Sequence, residues 1–253
     1  MILDVDSDSM IGLVRKVNQD AVFSAFLYSV GLFAVADGKG GHFQGEVASD
    51  MAIGGLSRWW EQHRTQIEAL PFYTVVESLE KEIRNINIII TEYYLGLGQI
   101  GGCTLCVLLL HYNAYAVFNI GDSRLYLCEK QKLKCLTVDD IWENLPKVRQ
   151  MADTFDLSGD ARRGKLSKAV GLSKDISPAI LTNAIEKKMI FFLCSDGVYK
   201  HLSELQLCDL LKKVKKAGDA VHVNEKIREI VYGNGASDNL SMITVLVERN
   251  SEG

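Results

Sequence analysis

An apolar run ends abruptly at Asp37-Gly38, and that junction constrains the chain more than any other. Phe33-Ala34-Val35-Ala36 shows no polar alternation, so it reads as a strand buried on both faces. Asp37 then leaves the core at the strand end. It enters a loop with further glycines at 40, 41 and 45, which let the backbone pass close to a neighbour. A carboxylate on a rigid strand tip, beside free carbonyls, suits a hard cation such as Mg²⁺ or Mn²⁺. An ordinary strand-turn-helix corner, with Asp as a turn residue, accounts for this one stretch equally well.

The pattern around it gives the architecture. Residues 1 to 8 read as a weak strand, and Ala21 to Val30 as a second, with Gly31 opening the next. Gln44 to His63 and Phe72 to Tyr94 have helical spacing, each with one apolar stripe. Short strands follow at Cys103 to Leu110, Ala114 to Asn119, Leu125 to Cys128 and Lys132 to Leu136. Residues 137 to 177 lack a period and read as an excursion with one or two short helices. Strands are expected at Ala179 to Ile185 and Met189 to Cys194. Ser203 with Gln206 forms a capping box that starts a helix to about Lys216. A helix over Asp219 to Tyr232 and a strand over Leu240 to Glu248 complete the chain. This order does not alternate β and α, so a doubly wound parallel sheet is not expected. An α+β fold is expected, with two antiparallel sheets stacked face to face and helix pairs outside.

Composition narrows the function classes. The 253 residues carry no Pro/Ser-rich linker, and only three prolines occur, so a single domain over 1–253 is expected. The net charge of −4 gives no electrostatic footprint for nucleic acid. The N-terminus lacks a signal-peptide layout and no apolar run is long enough to cross a bilayer, so a cytoplasmic monomer is expected. The six cysteines sit mostly inside apolar runs and read as buried free thiols. Cys103 and Cys106 have no second pair or histidine at zinc spacing. Asp4, Asp6 and Asp8 imitate a calcium loop, but Ser9 and Arg15 stand where that loop needs glycine and glutamate.

Four further acids repeat the setting of Asp37. Asp196 follows the strand ending at Cys194, Asp122 follows Phe118 to Gly121, Asp238 precedes the last strand, and Asp20 precedes the strand from Ala21. If these strand ends meet at one edge, their charges repel and raise one another's pKa. Divalent cations relieve that repulsion. Two of them roughly 3.5–4 Å apart can activate a water for attack on a phosphate ester. Arg15 is the candidate for the phosphoryl oxygens, since guanidinium matches them in a bidentate way.

The motifs resemble those of the metal-dependent type-2C serine/threonine protein phosphatases, the PPM family, in their bacterial form. Arg15-x-x-Asn18-Gln19-Asp20 is similar to the first motif, and Val35 through Ser49, with Asp37-Gly38-Lys39-Gly40-Gly41-His42, to the second. Gly102-Cys103-Thr104, Asn119 through Arg124, Leu136-Thr137-x-Asp139-Asp140 and Leu166 through Gly171 resemble the next four in order. Leu193 through Gly197 and Ser237 through Ser241 resemble the last two.

The resemblance implies an α-β-β-α sandwich with two or three Mn²⁺ or Mg²⁺ ions at one end, two of them central. Asp37 would bridge the central pair, with the Gly38 carbonyl on one of them. Asp196 and Asp238 would complete a shell, Asp20 would act largely through water, and Asp122 with Asp196 would anchor the third ion. Arg15 would hold the substrate phosphate, and a bridging hydroxide would attack phosphorus without a phospho-enzyme. Residues 137 to 170 would form a flap. The implied substrates are phosphoserine and phosphothreonine proteins in signalling, opposite a Ser/Thr kinase.

The chain departs from the pattern in four places. Gln19 stands where many members carry glutamate, and Lys39 where eukaryotic relatives place a histidine proposed as general acid. Asp140 replaces a common histidine, and the flap is short and poorly matched. His42 follows Lys39 by three residues, and a structural loop histidine accounts for it at least as well as that catalytic role. Two other readings of the same residues are a catalytically dead binding sandwich and a hydrolase of small phosphate esters.

Overall fold

The computed structural model describes residues 1–39, 44–152 and 157–249. His42 therefore lies outside the described residues. The strands are β1 (Ile2–Met10), β2 (Asp20–Leu27), β3 (Val30–Asp37), β4 (Leu105–His111), β5 (Ala114–Ile120), β6 (Arg124–Glu129), β7 (Lys132–Cys135), β8 (Ala179–Ala184), β9 (Met189–Cys194) and β10 (Leu240–Val247). The helices are α1 (Gly45–His63), α2 (Phe72–Gly96), α3 (Pro146–Ala152), α4 (Asp196–Tyr199), α5 (Glu204–Leu211) and α6 (Asp219–Gly233).

Two five-stranded sheets form, in the orders β1-β10-β9-β6-β7 and β2-β3-β4-β5-β8. Every pairing is antiparallel. Strand parity builds the layers, because successive side chains point to opposite faces. In β3, Phe33 and Val35 join Cys106, Leu108, Phe191, Leu193, Ile243 and Val245 in a core between the sheets. Leu32, Ala34 and Ala36 of the same strand face outward and pack with Leu56, Trp60, Leu79, Ile83 and Ile86 of α1 and α2. On the far side, Phe192, Met242 and Leu246 pack against Leu207, Leu211, Val223 and Ile227 of α5 and α6. The uninterrupted apolar run of β3 thus reflects burial on both faces, and the four-layer α-β-β-α sandwich is present.

The structure corrects several boundaries. Ala21 to Val30 is not one strand: the chain turns at Tyr28, whose φ is 53°, and Val30 already belongs to β3. Residue 103 is an isolated bridge between Gly38 and Val170, and β4 starts at Leu105. The capping box at Ser203 is formed, but its helix stops at Leu211. The Asp219 carboxylate then accepts from the amides of Lys215 and Lys216 and starts the next helix. The cysteines are free thiols, five of them buried, and no described helix is long and apolar enough to cross a membrane.

Candidate active site

Parity also aims the acids. Asp37 shares the face of Phe33 and Val35, so its side chain enters the slot between the sheets. It stays inside the strand as the last residue of β3 and is buried, not carried out on a loop. Its backbone is clamped: the amide donates to Thr104 Oγ1 at 3.0 Å, and its carbonyl accepts from the Thr104 amide at 2.8 Å. Asp20 lies directly opposite Asp37 in the β2–β3 register, hence on the same face. On the other sheet, Phe191 and Leu193 point into the slot, so Ser195 does too. The Ser195 hydroxyl donates to Asp20 Oδ2 at 2.7 Å and accepts from the Ser241 amide at 3.0 Å, stitching the two sheets at this edge.

Gly38 follows Asp37, and a Cβ there would lie 2.2 Å from the Gly45 carbonyl oxygen and 2.7 Å from that of Gln19. Both obstacles are backbone, so no other residue fits. The Asp122 turn depends on a second glycine, Gly121, whose φ is +102°. Its amide donates to Asp140 Oδ2 at 3.0 Å, and its carbonyl accepts from the Asp140 amide at 2.9 Å. Beside it, Arg124 forks onto Asp139 at 3.0 and 2.8 Å. The Asp139-Asp140 pair is therefore scaffolding for Asp122, and this gives the aspartate at 140 a reason.

Lys39 stands among the acids, 3.1 Å from Asp37 Oδ2, 3.2 Å from Asp122 Oδ1 and 3.9 Å from Asp196 Oδ2. Lys200 reaches Asp196 Oδ2 at 2.7 Å. Asp196 opens α4, a helix absent from the sequence reading. Asp238 turns instead to Arg15, with Nη2 at 2.8 Å from its Oδ2. Asn239 supports this pair by donating to the Ile11 and Val17 carbonyls and accepting from the Gln19 amide. Gln19 donates its side-chain amide to Glu46 at 2.7 Å, a contact that a glutamate could not make without repulsion.

The electrostatics follow from burial. It pushes Asp20 up to about 7, opposed by hydrogen bonds from Ser195 and Ser241 and reinforced by the charges of Asp196 and Asp238. Burial likewise lifts Asp37, with Asp20 adding to it and Lys39 opposing, and lifts Asp122 against Lys39. Burial raises Asp196 too, but Lys39 and Lys200 outweigh it and leave this carboxyl below its ordinary value. Burial works against the Lys39 charge, and the three acids overcome it, so the ammonium persists at any ordinary pH.

A cleft of about 410 Å³ opens onto Lys39, Asp122 and Asp196, and Lys165 and Leu166 from the 137–170 excursion form one wall. That excursion is pinned by a bridge from Ile141 to Leu166 and by another from Cys103 to Val170.

The comparisons with known proteins agree with this fold. The protein phosphatase 2C family model matches residues 14–232. The chain belongs to that family. Serine/threonine phosphatase stp of Listeria welshimeri is 29% identical over 222 residues, covering 85% of this chain and 83% of the relative. Protein phosphatase PhpP of Streptococcus pneumoniae is 27% identical over 250 residues, covering 96% of each. The catalytic domain of the serine/threonine protein phosphatase PstP, solved in complex with two manganese ions, superposes with a TM-score of 0.77 at 24% identity, over 98% of this chain and 99% of that one.

The donor set of this protein phosphatase 2C chain fits a hard divalent cation. Its candidate donors are carboxylate and carbonyl oxygens, and the buried Asp122 Oδ1 has the Lys39 ammonium at 3.2 Å as its partner. Five acids (20, 37, 122, 196, 238) face three cations (Arg15, Lys39, Lys200), so full ionisation would leave an excess of two negative charges. Among the described residues, however, no three His, Cys, Asp or Glu side chains converge at metal-holding spacing. The expected convergence of five carboxylates is thus only partly met. Lys39 gathers Asp37, Asp122 and Asp196, Ser195 holds Asp20, and Arg15 draws Asp238 aside. The sequence reading gave no role to Ser195, Thr104, Asn239 or Lys200. The signal available for Ser195 was its parity with Leu193.

Proposed function

We propose that this chain hydrolyses phosphoserine and phosphothreonine on proteins with Mn²⁺ or Mg²⁺, opposing a Ser/Thr kinase in signalling. The observation that carries the reading is the buried pair Asp20–Asp37 at the sheet edge, with a local excess of negative charge in an all-oxygen donor set. Asp37, the Gly38 carbonyl, Asp20, Asp196 and Asp238 are the residues that would hold two central ions. When bound, such a pair supplies a water acidic enough to attack phosphorus at neutral pH, and positive charge for the phosphoryl oxygens. Ser195 keeps Asp20 oriented, and Thr104 fixes the backbone that carries Asp37. Arg15 sits at the rim on a half-exposed side chain, free to exchange Asp238 for a substrate phosphate. The kinship to stp and PhpP supports protein substrates over small esters.

Turnover of a phosphothreonine peptide is expected with Mn²⁺ and is expected to stop in EDTA. Unchanged turnover in EDTA would overturn the metal mechanism. Arg15→Ala should raise KM roughly tenfold while leaving Mn²⁺ affinity near wild type. A loss of Mn²⁺ affinity with an unchanged KM would instead make Arg15 a support for Asp238.

A further inference from the structure

Lys39 is the feature that the proposed reaction leaves unused. Its backbone is anchored by two bonds: the Gly38 amide donates to the Gln19 carbonyl at 3.0 Å, and the Lys39 amide to the Gly102 carbonyl at 3.1 Å. From that fixed origin its side chain runs into the acids and is only 20% exposed. Three carboxylates surround the Lys39 ammonium, Asp37 at 3.1 Å, Asp122 at 3.2 Å and Asp196 at 3.9 Å, and Lys200 adds a second ammonium at Asp196. With Asp37 given to the central ions, the two charges of Asp122 and Asp196 are met by the two ammoniums. An ammonium has three donors and no acceptor, so three carboxylates can share it without a water shell. A divalent ion between Asp122 and Asp196 would have to displace Lys39 into the cleft. There it would meet Lys200 and Lys165, which offer it no acid.

We propose that Lys39, backed by Lys200, is a tethered cation that takes the place of a third divalent ion between Asp122 and Asp196. The inference rests on the metal-dependent reading above. It makes this chain a two-ion phosphatase whose third charge is covalently supplied. Asp122 is held in place by the chain itself and does not depend on metal concentration.

Counting bound Mn²⁺ tests this without reference to activity. Chelator-stripped wild type and Lys39→Arg should each take up two equivalents in a calorimetric titration. Lys39→Met should take up three, and the added one should vanish in Lys39→Met with Asp122→Asn. Metal-free Lys39→Met should melt several degrees lower than wild type, with Mn²⁺ restoring it. Three equivalents in wild type, or two in both wild type and Lys39→Met, would overturn the inference while leaving the metal mechanism intact. No uptake by wild type would overturn the metal mechanism, and the inference with it.

Discussion

Asp37→Asn is expected to lower phosphothreonine-peptide turnover by about a thousandfold or more at saturating Mn²⁺. The substitution keeps the volume of the side chain. It also leaves both backbone bonds to Thr104 in place, since these use the amide and carbonyl of residue 37. What disappears is one negative charge at the point where β2 and β3 bring two carboxylates opposite each other. An amide oxygen is a weaker, uncharged ligand and cannot hold two hard cations together. Circular dichroism should match wild type, separating loss of chemistry from loss of fold. Turnover within tenfold of wild type would remove Asp37 from the centre of the reaction.

The same acids should make the metal-free protein less stable as pH rises. The Asp20 carboxyl is pushed up to about 7 in the folded protein, from an ordinary value of 3.8. The folded state therefore binds a proton that the unfolded chain releases. Its stabilising share is complete below pH 3.8, is lost as pH climbs towards 7, and stays lost above that. Asp37 shifts in the same direction and adds to the slope. Metal-free protein should consequently melt lower at pH 8 than at pH 6, and saturating Mn²⁺ should reverse that order. Asp20→Asn keeps an oxygen to accept from Ser195 and removes the buried charge. At pH 8 without metal it should raise the melting temperature by roughly 5 °C and flatten the pH dependence. A lower melting temperature for Asp20→Asn, or an unchanged slope, would show that the carboxylate is satisfied without metal. A residue that destabilises the empty protein and is needed for the reaction is the signature of a site built for a ligand.

Much of this was legible in residue pattern, for reasons that parity explains. The apolar run of β3 carries no alternation because helices cover one face and the second sheet covers the other. The two long helices kept their period because each packs one stripe. The placement of Asp37, Asp20 and Asp196 at strand ends could likewise be read directly. The supports could not. Ser195 and Asp20 are 175 positions apart, and only the meeting of two sheets makes them partners. Thr104 and Ser123 share a 2.7 Å hydroxyl contact whose ends sit in separate motifs. The helix read through to Lys216 kept its apolar period, with Val214 buried, but Asp219 captures the amides before it and breaks the path. Lys39 looked like a bare departure in a glycine loop, because nothing local reveals that the distant Asp122 and Asp196 join Asp37 around it.

The most direct test of the central claim is anomalous diffraction from crystals soaked in Mn²⁺. The account predicts two strong peaks at the sheet edge among Asp20, Asp37, Asp196 and Asp238, with Asp238 released from Arg15. An edge without peaks at saturating Mn²⁺, or peaks bound only elsewhere on the surface, would contradict it.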